Sequence, residues 1–397
     1  MKKTLIKLKE KKNIFQTREC RIFLCAVLFR LGIYLISVCV MALLGDYPKG
    51  IALDDFLEAW KRWDSAHYIN IAQNGYQGAV ENGQHLFLVF FPLYPWLMRI
   101  LHVTGIDLRM AGIVISTVSF GIGSIYFDKI VCMEFDEEVS ENAGIALAVF
   151  PFSFFFGAIL TESLFFAITT AFFFYLRKHD YLKVAVLGFF ACLTRMQGAL
   201  LALAVMAELF GGFHLLSLLK QKKWMEIWKK IIVPGLKCMP MILGIFVYLL
   251  INYKVEGDPF RFMYYQQSHW NHTVGTIWNC LSYIKDYAVD SWYTSAGMSI
   301  WIPQLILFFV YIIAFVYGIR RRLQPAYLVY LLASFGLTYS STWLISGGRY
   351  TLTVFPLFML EGKFLTEHKI CKNLVLYLSM GLMMVYMIGF YQWKQIM

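Results

Sequence analysis

Long apolar runs, separated by short polar segments, dominate this chain of 397 residues. Of its residues 59% are hydrophobic and only 15% are charged, and the mean hydropathy is +0.59. Soluble globular domains carry far more charge than this. A predominantly apolar run of roughly 20 residues has the length of a helix that crosses the bilayer. The sequence therefore predicts an all-α polytopic membrane protein.

Eleven apolar segments are predicted to cross the bilayer, all within one integral membrane domain that covers residues 1–397. They are residues 22–44, 107–127, 142–160, 164–176, 184–197, 199–216, 231–252, 300–319, 326–343, 350–366 and 373–391. The long polar stretches between them form a first external loop, residues 45–106, and a second, residues 253–299. Because the polar residues are concentrated there, chemistry is expected on the external face.

The positions of Lys and Arg orient the predicted helices. Residues 1–21 hold eight of them, which predicts a cytoplasmic N-terminus under the positive-inside rule. No small-residue cleavage site follows, so the first span is expected to remain. The stretch FLVFFPLYPWLMRIL, residues 87–101, is short and contains two prolines, and it predicts an interfacial helix. Counting it as a span would place the basic segments KQKKWMEIWKK and IRRR outside the cell, against the rule.

The net charge of +11 does not indicate a nucleic-acid partner, because the basic residues cluster between apolar runs, where cytoplasmic anchoring explains them. The membrane lipid is the expected partner. Of the eight cysteines only Cys280 lies in a predicted external loop, so no external disulfide is expected. No CxxC motif or His/Cys cluster predicts a zinc site. The sequence leaves any need for a divalent metal open.

The first external loop contains the polar and aromatic segment RWDSAHYINIAQNGY. Read as one helix that starts at Trp60, two residues before this segment, the chain places on a single face the side chains of Trp60, Asp64, His67 and Tyr68, with Trp63 stacked one turn before His67. Asp64 would then lie in an aromatic wall at membrane level, where partial loss of hydration makes a carboxylate a better base. Alternatively, Asp64 caps the helix and the aromatic residues form an interfacial belt.

Three further charged residues are predicted at the external ends of spans. Glu162, in LTESLF, lies at a tight turn between two apolar runs, and capping of the following helix is its alternative role. Arg195, in LTRMQG, and Arg349, in SGGRY, break the positive-inside trend. A guanidinium group can bind two phosphate oxygens at once, although contact with lipid headgroups would also explain each arginine.

Several motifs occur together in an order that resembles a known family. They are WDSAHYINIAQNGY, FFPLYPWLMRI, FPFSFFFGAILTESLFF, LTRMQGALL and SGGRYTLTVFPLF. In this order they are similar to the bacterial relatives of GPI mannosyltransferase 2, the PIG-V family of GT-C glycosyltransferases. The resemblance implies a GT-C-type helical bundle with interfacial helices in the first external loop and an active site outside the cytoplasm.

The same resemblance implies roles for individual residues. Asp64 takes the position of the catalytic base, Glu162 the second acidic position, and Arg349 is a candidate for the donor phosphate. The expected donor is a polyprenyl-phosphate-linked sugar, mannose in the eukaryotic relatives, and the expected acceptor is a hydroxyl of a glycolipid or glycan. The residues predicted to bind substrate are Trp63, His67, Tyr68, Glu162, Arg195, Arg349 and Tyr350.

The predicted reaction is transfer of the sugar with inversion. A phosphate leaves without protonation, so one base and one cation suffice, whereas glycosidases need two carboxyl groups. Two other functions stay open at this point. A transporter or flippase of lipid-linked sugars would line a pathway with the same charged residues, and a membrane scaffold would use the external loops only to bind a partner.

Overall fold

The computed structural model describes residues 17–45, 50–392, 394 and 396 of the chain. Within them the chain is helical and no β-strand occurs, apart from two isolated bridges. The first ten helices are α1 (Arg18–Leu44), α2 (Leu53–Trp60), α3 (Ser65–Gly78), α4 (Leu93–His102), α5 (Leu108–Glu134), α6 (Glu137–Val149), α7 (Glu162–Arg177), α8 (Tyr181–Thr194), α9 (Leu201–Gly212) and α10 (Leu215–Lys220). The others are α11 (Trp224–Ile227), α12 (Val233–Cys238), α13 (Leu243–Glu256), α14 (Arg261–Trp270), α15 (Ile277–Asp290), α16 (Ile302–Arg320), α17 (Pro325–Tyr339), α18 (Gly347–Leu352), α19 (Phe355–Glu367) and α20 (Lys369–Tyr391).

Short polar side chains fix where several long helices begin. Thr17 accepts a hydrogen bond from the backbone N–H of Cys20 at the start of α1, and Asp107 accepts one from Arg109 at the start of α5. Asp136 caps α6 through the N–H of Val139. Such caps satisfy N–H groups that have no partner within the helix.

The eleven predicted spans all correspond to helical segments, but these differ in length. Five helical segments are long and apolar enough to cross a membrane: Arg18–Leu44, Leu108–Glu134, Trp224–Glu256, Gly297–Arg320 and Lys369–Tyr391. Segments near residues 184–197, 199–216 and 326–343 form shorter apolar helices. The span predicted at 142–160 is wrong in extent, because α6 ends at Val149 and the chain continues through a 3₁₀ turn, Ser153–Gly157.

The first external loop folds into α2, α3, a 3₁₀ turn and α4. With ten residues, α4 is about 15 Å long, half the thickness of the hydrocarbon core, so it does not span. One face of α4 is buried, and the hydroxyl of Tyr94 donates to the carbonyl oxygen of Gly112 in α5 at 3.0 Å. The helix formed within residues 87–101 is thus short and packed against α5, as expected of a segment that does not cross the membrane.

Helix ends that were assigned to the cytoplasm meet at one end of the bundle. Arg18 pairs with Asp128 at 2.8 Å, joining α1 to α5, and Arg177 pairs with Glu134 at 3.1 Å, joining α7 to α5. These two carboxylates belong to the acidic segment DKIVCMEFDEEVSE. Its carboxylates therefore neutralise arginines of the neighbouring helices α1 and α7.

The opposite end of the bundle gathers the residues predicted to be external. There α7 begins in the middle of the bundle, with nearly every side chain buried against α5, α8 and the short helix α18. The first external loop packs over this end through α3 and α4. The second external loop, with α14 and α15, bonds to the chain just before α18, where Thr342 N donates to the carbonyl oxygen of Thr273 at 2.9 Å. Three distant parts of the sequence thus meet around the start of α7.

Candidate active site

Asp64 lies where the chain turns from α2 into α3. The single helix predicted through Trp60 and Asp64 is wrong, because the chain breaks at residues 61–64 and Trp63 adopts a left-handed φ of 52°. An L-residue in that conformation cannot continue a right-handed helix. Trp60 instead packs at 0% exposure against Tyr34, at 4.8 Å between ring centroids.

The side chain of Asp64 does not cap α3. It lies at the N-cap position, but its backbone is helical and no N–H of the helix bonds to the carboxylate. Instead, Oδ2 accepts a hydrogen bond from Nη1 of Arg349 at 3.0 Å. Oδ1 has no hydrogen bond within the described part of the chain, and 32% of the side chain is exposed. The carboxylate is therefore held on one oxygen and accessible on the other.

Glu162 begins α7 after an irregular stretch, residues 150–161, whose backbone is satisfied by side chains. Arg30 donates to the carbonyl oxygen of Ser153 at 2.6 Å, and Tyr34 donates to that of Gly157 at 2.8 Å. Ser116 on α5 donates to the carbonyl oxygen of Ala158 at 2.7 Å. Non-helical backbone at membrane depth is stable only when it is satisfied in this way. Arg30, which lies within the first predicted span, is completely buried.

Arg349 joins the two acidic residues. Its Nε donates to Oε1 of Glu162 at 3.1 Å, while its Nη1 binds Asp64. The guanidinium lies 5.4 Å from the ring centroid of Phe155 in the irregular stretch. The glycine before it, Gly348, permits this approach, because a Cβ there would lie 2.7 Å from the ring of Phe152. The SGGRY motif thus places a buried cation between two carboxylates.

Arg195 approaches Glu162 from the break between α8 and α9. Its backbone is extended, with φ −158° and ψ 155°, which ends α8 and turns the side chain into the bundle. Nη1 lies 3.3 Å from Oε1 of Glu162, and the guanidinium stacks 5.4 Å from the ring centroid of Tyr350. Nη1 has no hydrogen-bond partner among the described residues.

The four charged groups form one chain in the order Asp64, Arg349, Glu162 and Arg195. Two carboxylates and two guanidinium groups give a formal charge of zero, so the desolvation cost of each is offset by its neighbour. Only Asp64 reaches the surface, since Glu162 is 0% exposed and both arginines are below 10%. Glu162 Oε2 also has no hydrogen-bond partner within the described residues. Such buried, unpaired polar atoms cost free energy, and a polar ligand or water that pairs with them would remove that cost.

The aromatic residues of α3 form one wall beside this chain of charges. The ring of His67 lies 4.8 Å from Phe87 and 5.1 Å from Phe90, centroid to centroid. Burial lowers the pKa of His67, so the imidazole is neutral at pH 7. Tyr68 packs edge-on to Phe90 at 5.2 Å, and burial raises the pKa of its hydroxyl well above the ordinary value. Trp63, predicted to bind substrate, is partly buried against the core.

The site also contains residues that the sequence analysis did not select. Phe155 and Tyr34 lie far from the polar motifs in sequence, and an apolar run such as FPFSFFFGAIL gives no periodic signal for an irregular stretch. Pro151 and Gly157 within that run are the signals that could have predicted it. No group of three or more His, Cys, Asp or Glu suited to a metal ion occurs in the described residues.

The fold defines a class of membrane protein, the GT-C-type helical bundle. The structure is similar to the crystal structure of ArnT from Cupriavidus metallidurans bound to undecaprenyl phosphate, with a TM-score of 0.50 over 78% of this chain. The two sequences are 14% identical, and the match spans 58% of the ArnT chain, so the similarity concerns the fold.

The family follows from the sequence. Residues 50–298 match the model of the mannosyltransferase (PIG-V) family, and the chain belongs to that family. No curated protein matches the sequence. The matched residues include Asp64, Glu162 and Arg195, whereas Arg349 lies beyond them.

Proposed function

We propose that the protein is a membrane glycosyltransferase that moves mannose from a polyprenyl-phosphate donor to a hydroxyl of an extracytoplasmic glycolipid or glycan. The observation that carries this proposal is the partly exposed Asp64, which accepts a hydrogen bond from the buried Arg349 on one oxygen and has no hydrogen bond from the described residues on the other. A base in this state is oriented, yet it can still accept a proton from an incoming group. Family membership supports mannose as the sugar.

The class of donor is supported by two observations. ArnT, which shares the fold, was crystallised with undecaprenyl phosphate. In this chain, Arg195 presents a guanidinium nitrogen with no hydrogen-bond partner among the described residues, beside the buried Glu162. Arg349, by contrast, already binds two carboxylates. We therefore propose Arg195 as the main contact of the donor phosphate and Arg349 as the residue that positions Asp64 and Glu162.

The proposed reaction is a single displacement. Asp64 Oδ1 takes the proton of the acceptor hydroxyl while that oxygen forms a bond to the anomeric carbon from the face opposite the phosphate. The bond between the anomeric carbon and the phosphate oxygen breaks, and its electron pair leaves with the polyprenyl phosphate. Arg195 stabilises the charge on the leaving group, so no general acid is required. A positioned base supplies about 10² to 10⁴ in rate.

A transporter or flippase of lipid-linked sugars remains the alternative. A transport pathway needs polar groups at several depths of the bundle. The chain Asp64, Arg349, Glu162 and Arg195 lies instead at one end of it, next to the external loops. This arrangement favours chemistry at a surface over passage through the bundle.

The decisive experiment compares transfer and transport for Asp64→Asn in proteoliposomes. We expect the variant to insert and elute as the wild type does, and to lose transfer of mannose from polyprenyl-phosphate-mannose by about 10² or more, because amide cannot accept the proton. The matched control is Asp290→Asn, an exposed carboxylate of the second external loop.

Two results would contradict the proposal. One is near-normal transfer by Asp64→Asn. The other is movement of the intact donor across the vesicle membrane by the wild type without any glycosylated product, which would support the transporter instead. Loss of transfer in Asp290→Asn as well would show that the assay reports insertion rather than catalysis.

A further inference from the structure

A groove of about 520 Å³ lies at the opposite end of the bundle from Asp64. Its floor is α5 and its walls are α1 and α6, each of which packs on α5. The lining is apolar along most of its length, with Phe29, Phe120 and Leu147 toward its inner end. Arg18, Arg21, Asp128, Ser140 and Glu141 lie where α1 and α6 begin and α5 ends. The volume falls within the range of small-molecule binding sites.

The side of the groove is open. Cys25 on α1 is exposed, and Ile145 on α6 is 45% exposed, although both lie in helices of a membrane domain. Gly144 adds to the space, because a Cβ built there meets no atom within 4 Å. A groove that opens sideways within the membrane is reached by acyl chains, which gain dispersion contacts by filling it. The groove therefore has the form of a site for the tail of a lipid.

The charges at the mouth indicate which headgroup fits. Arg18 is already satisfied by Asp128 at 2.8 Å and by Glu137 at 2.7 Å. Arg21 and Glu141 are exposed and form no ion pair within the described residues. An adjoining cavity shares Arg18 and Asp128 and adds two lysines and two glutamates, namely Lys129, Lys178, Glu19 and Glu137. Since cations and carboxylates balance among the described residues around the mouth, it suits a headgroup that carries one charge of each sign.

We propose that this groove binds one zwitterionic glycerophospholipid with an ammonium headgroup, a phosphatidylethanolamine. Its phosphate contacts Arg21, its ammonium contacts Glu141, and one acyl chain lies between α1 and α6. Charge-assisted hydrogen bonds of this kind are about twice as strong as neutral ones. The site is separate from the proposed transferase site and does not depend on it.

A lipid in the groove would contact residues that surround Arg30. The rings of Phe29 and Phe120, which line the groove, flank the guanidinium of Arg30 at 4.9 and 4.6 Å. Arg30 also donates to the carbonyl oxygen of Ala148, another lining residue, and to Ser153 in the stretch that leads to Glu162. A chain in the groove thus supports the side of α1 that holds this irregular backbone.

Native mass spectrometry of the full chain, purified in mild detergent, tests the site directly. The probes are palmitoyl-oleoyl phosphatidylethanolamine and the phosphatidylglycerol with the same chains. We expect the wild type to retain one phosphatidylethanolamine in preference to phosphatidylglycerol. Gly144→Trp should weaken that retention about tenfold, because the indole fills the groove. The matched control is Gly381→Trp on α20, where a Cβ also meets no atom within 4 Å.

A double variant tests the proposed contacts with the headgroup. Arg21→Ala with Glu141→Gln should remove the preference for phosphatidylethanolamine and leave the weaker binding of both lipids in place. Cys25→Phe, from the facing wall, replaces Gly144→Trp if that variant does not elute as the wild type does. Equal retention by the groove-filling variant and the wild type, or tighter binding of phosphatidylglycerol than of phosphatidylethanolamine, would overturn the proposal.

Discussion

Arg195 and Arg349 carry the same charge in the same site, but their contacts differ. Arg349 donates hydrogen bonds to both Asp64 and Glu162, so its guanidinium group is already occupied by two carboxylates. Removing it would leave an uncompensated buried charge, at a cost of about 3 to 5 kcal/mol. Among the described residues, Arg195 pairs with one carboxylate, that of Glu162, and its guanidinium lies over the ring of Tyr350. The sequence motifs favoured Arg349 as the phosphate ligand, whereas the contacts favour Arg195.

Arg195→Gln tests this difference. Glu162 keeps its hydrogen bond to Arg349 in this variant, so we expect the protein to fold. The KM for the lipid-linked donor should rise about 10-fold to 100-fold, because the variant loses one hydrogen bond to a charged group. Steady-state transfer at varied donor concentration measures it. Arg99→Gln, an exposed arginine on α4, is the matched control. An unchanged KM for the donor in Arg195→Gln would argue against contact with the phosphate.

At the scale of elements, the site is made where helices break. Asp64 follows the break between α2 and α3, Glu162 follows the irregular stretch after α6, and Arg195 lies between α8 and α9. Each break depends on partners from elsewhere, as Arg30 and Tyr34 show for the stretch before Glu162. Residue periodicity therefore predicted the helices well and their ends poorly. The prediction that Trp60 shares one helix face with Asp64, His67 and Tyr68 is wrong for this reason.

Gly348→Ala tests whether the approach of α18 is needed for catalysis. Its Cβ would lie 2.7 Å from the ring of Phe152, so α18 or the ring must move and Arg349 would lose its alignment with Asp64. We expect kcat to fall about tenfold or more, because displacements of around 1 Å in a site cost up to 10²-fold. Gly381→Ala, in open space on α20, should leave kcat unchanged. A kcat for Gly348→Ala equal to that of the control would contradict this role.

At the scale of the whole molecule, the two ends of the bundle match the two sides predicted from charge. Arg18, Arg177 and Arg321 meet carboxylates at one end, and the catalytic candidates meet at the other. Five helical segments are long and apolar enough to run from one end to the other, and the alternation of all eleven predicted spans stays a prediction of the positive-inside rule. The absolute orientation, with the N-terminus in the cytoplasm and the site outside, is a prediction from the sequence.

Labelling of single cysteines in intact cells checks the orientation. In a background without the native cysteines, Asp290→Cys in the second external loop should react with a membrane-impermeant maleimide. Lys222→Cys in the basic segment should react only after the cells are lysed. Both residues are exposed, so accessibility within the fold is matched. The reverse pattern would place the site on the cytoplasmic side.

By itself the sequence predicted an all-α polytopic membrane protein, and the order of its motifs indicated the family that the family model confirms. The apolar segments could be predicted because the hydrocarbon thickness and the loop charges act on each segment separately. The sequence also selected Asp64, Glu162, Arg195 and Arg349 as residues of interest. Only the tertiary structure decided which of them bind one another. Those bonds join residues up to 285 positions apart, as between Asp64 and Arg349, and depend on helix breaks that distant side chains stabilise.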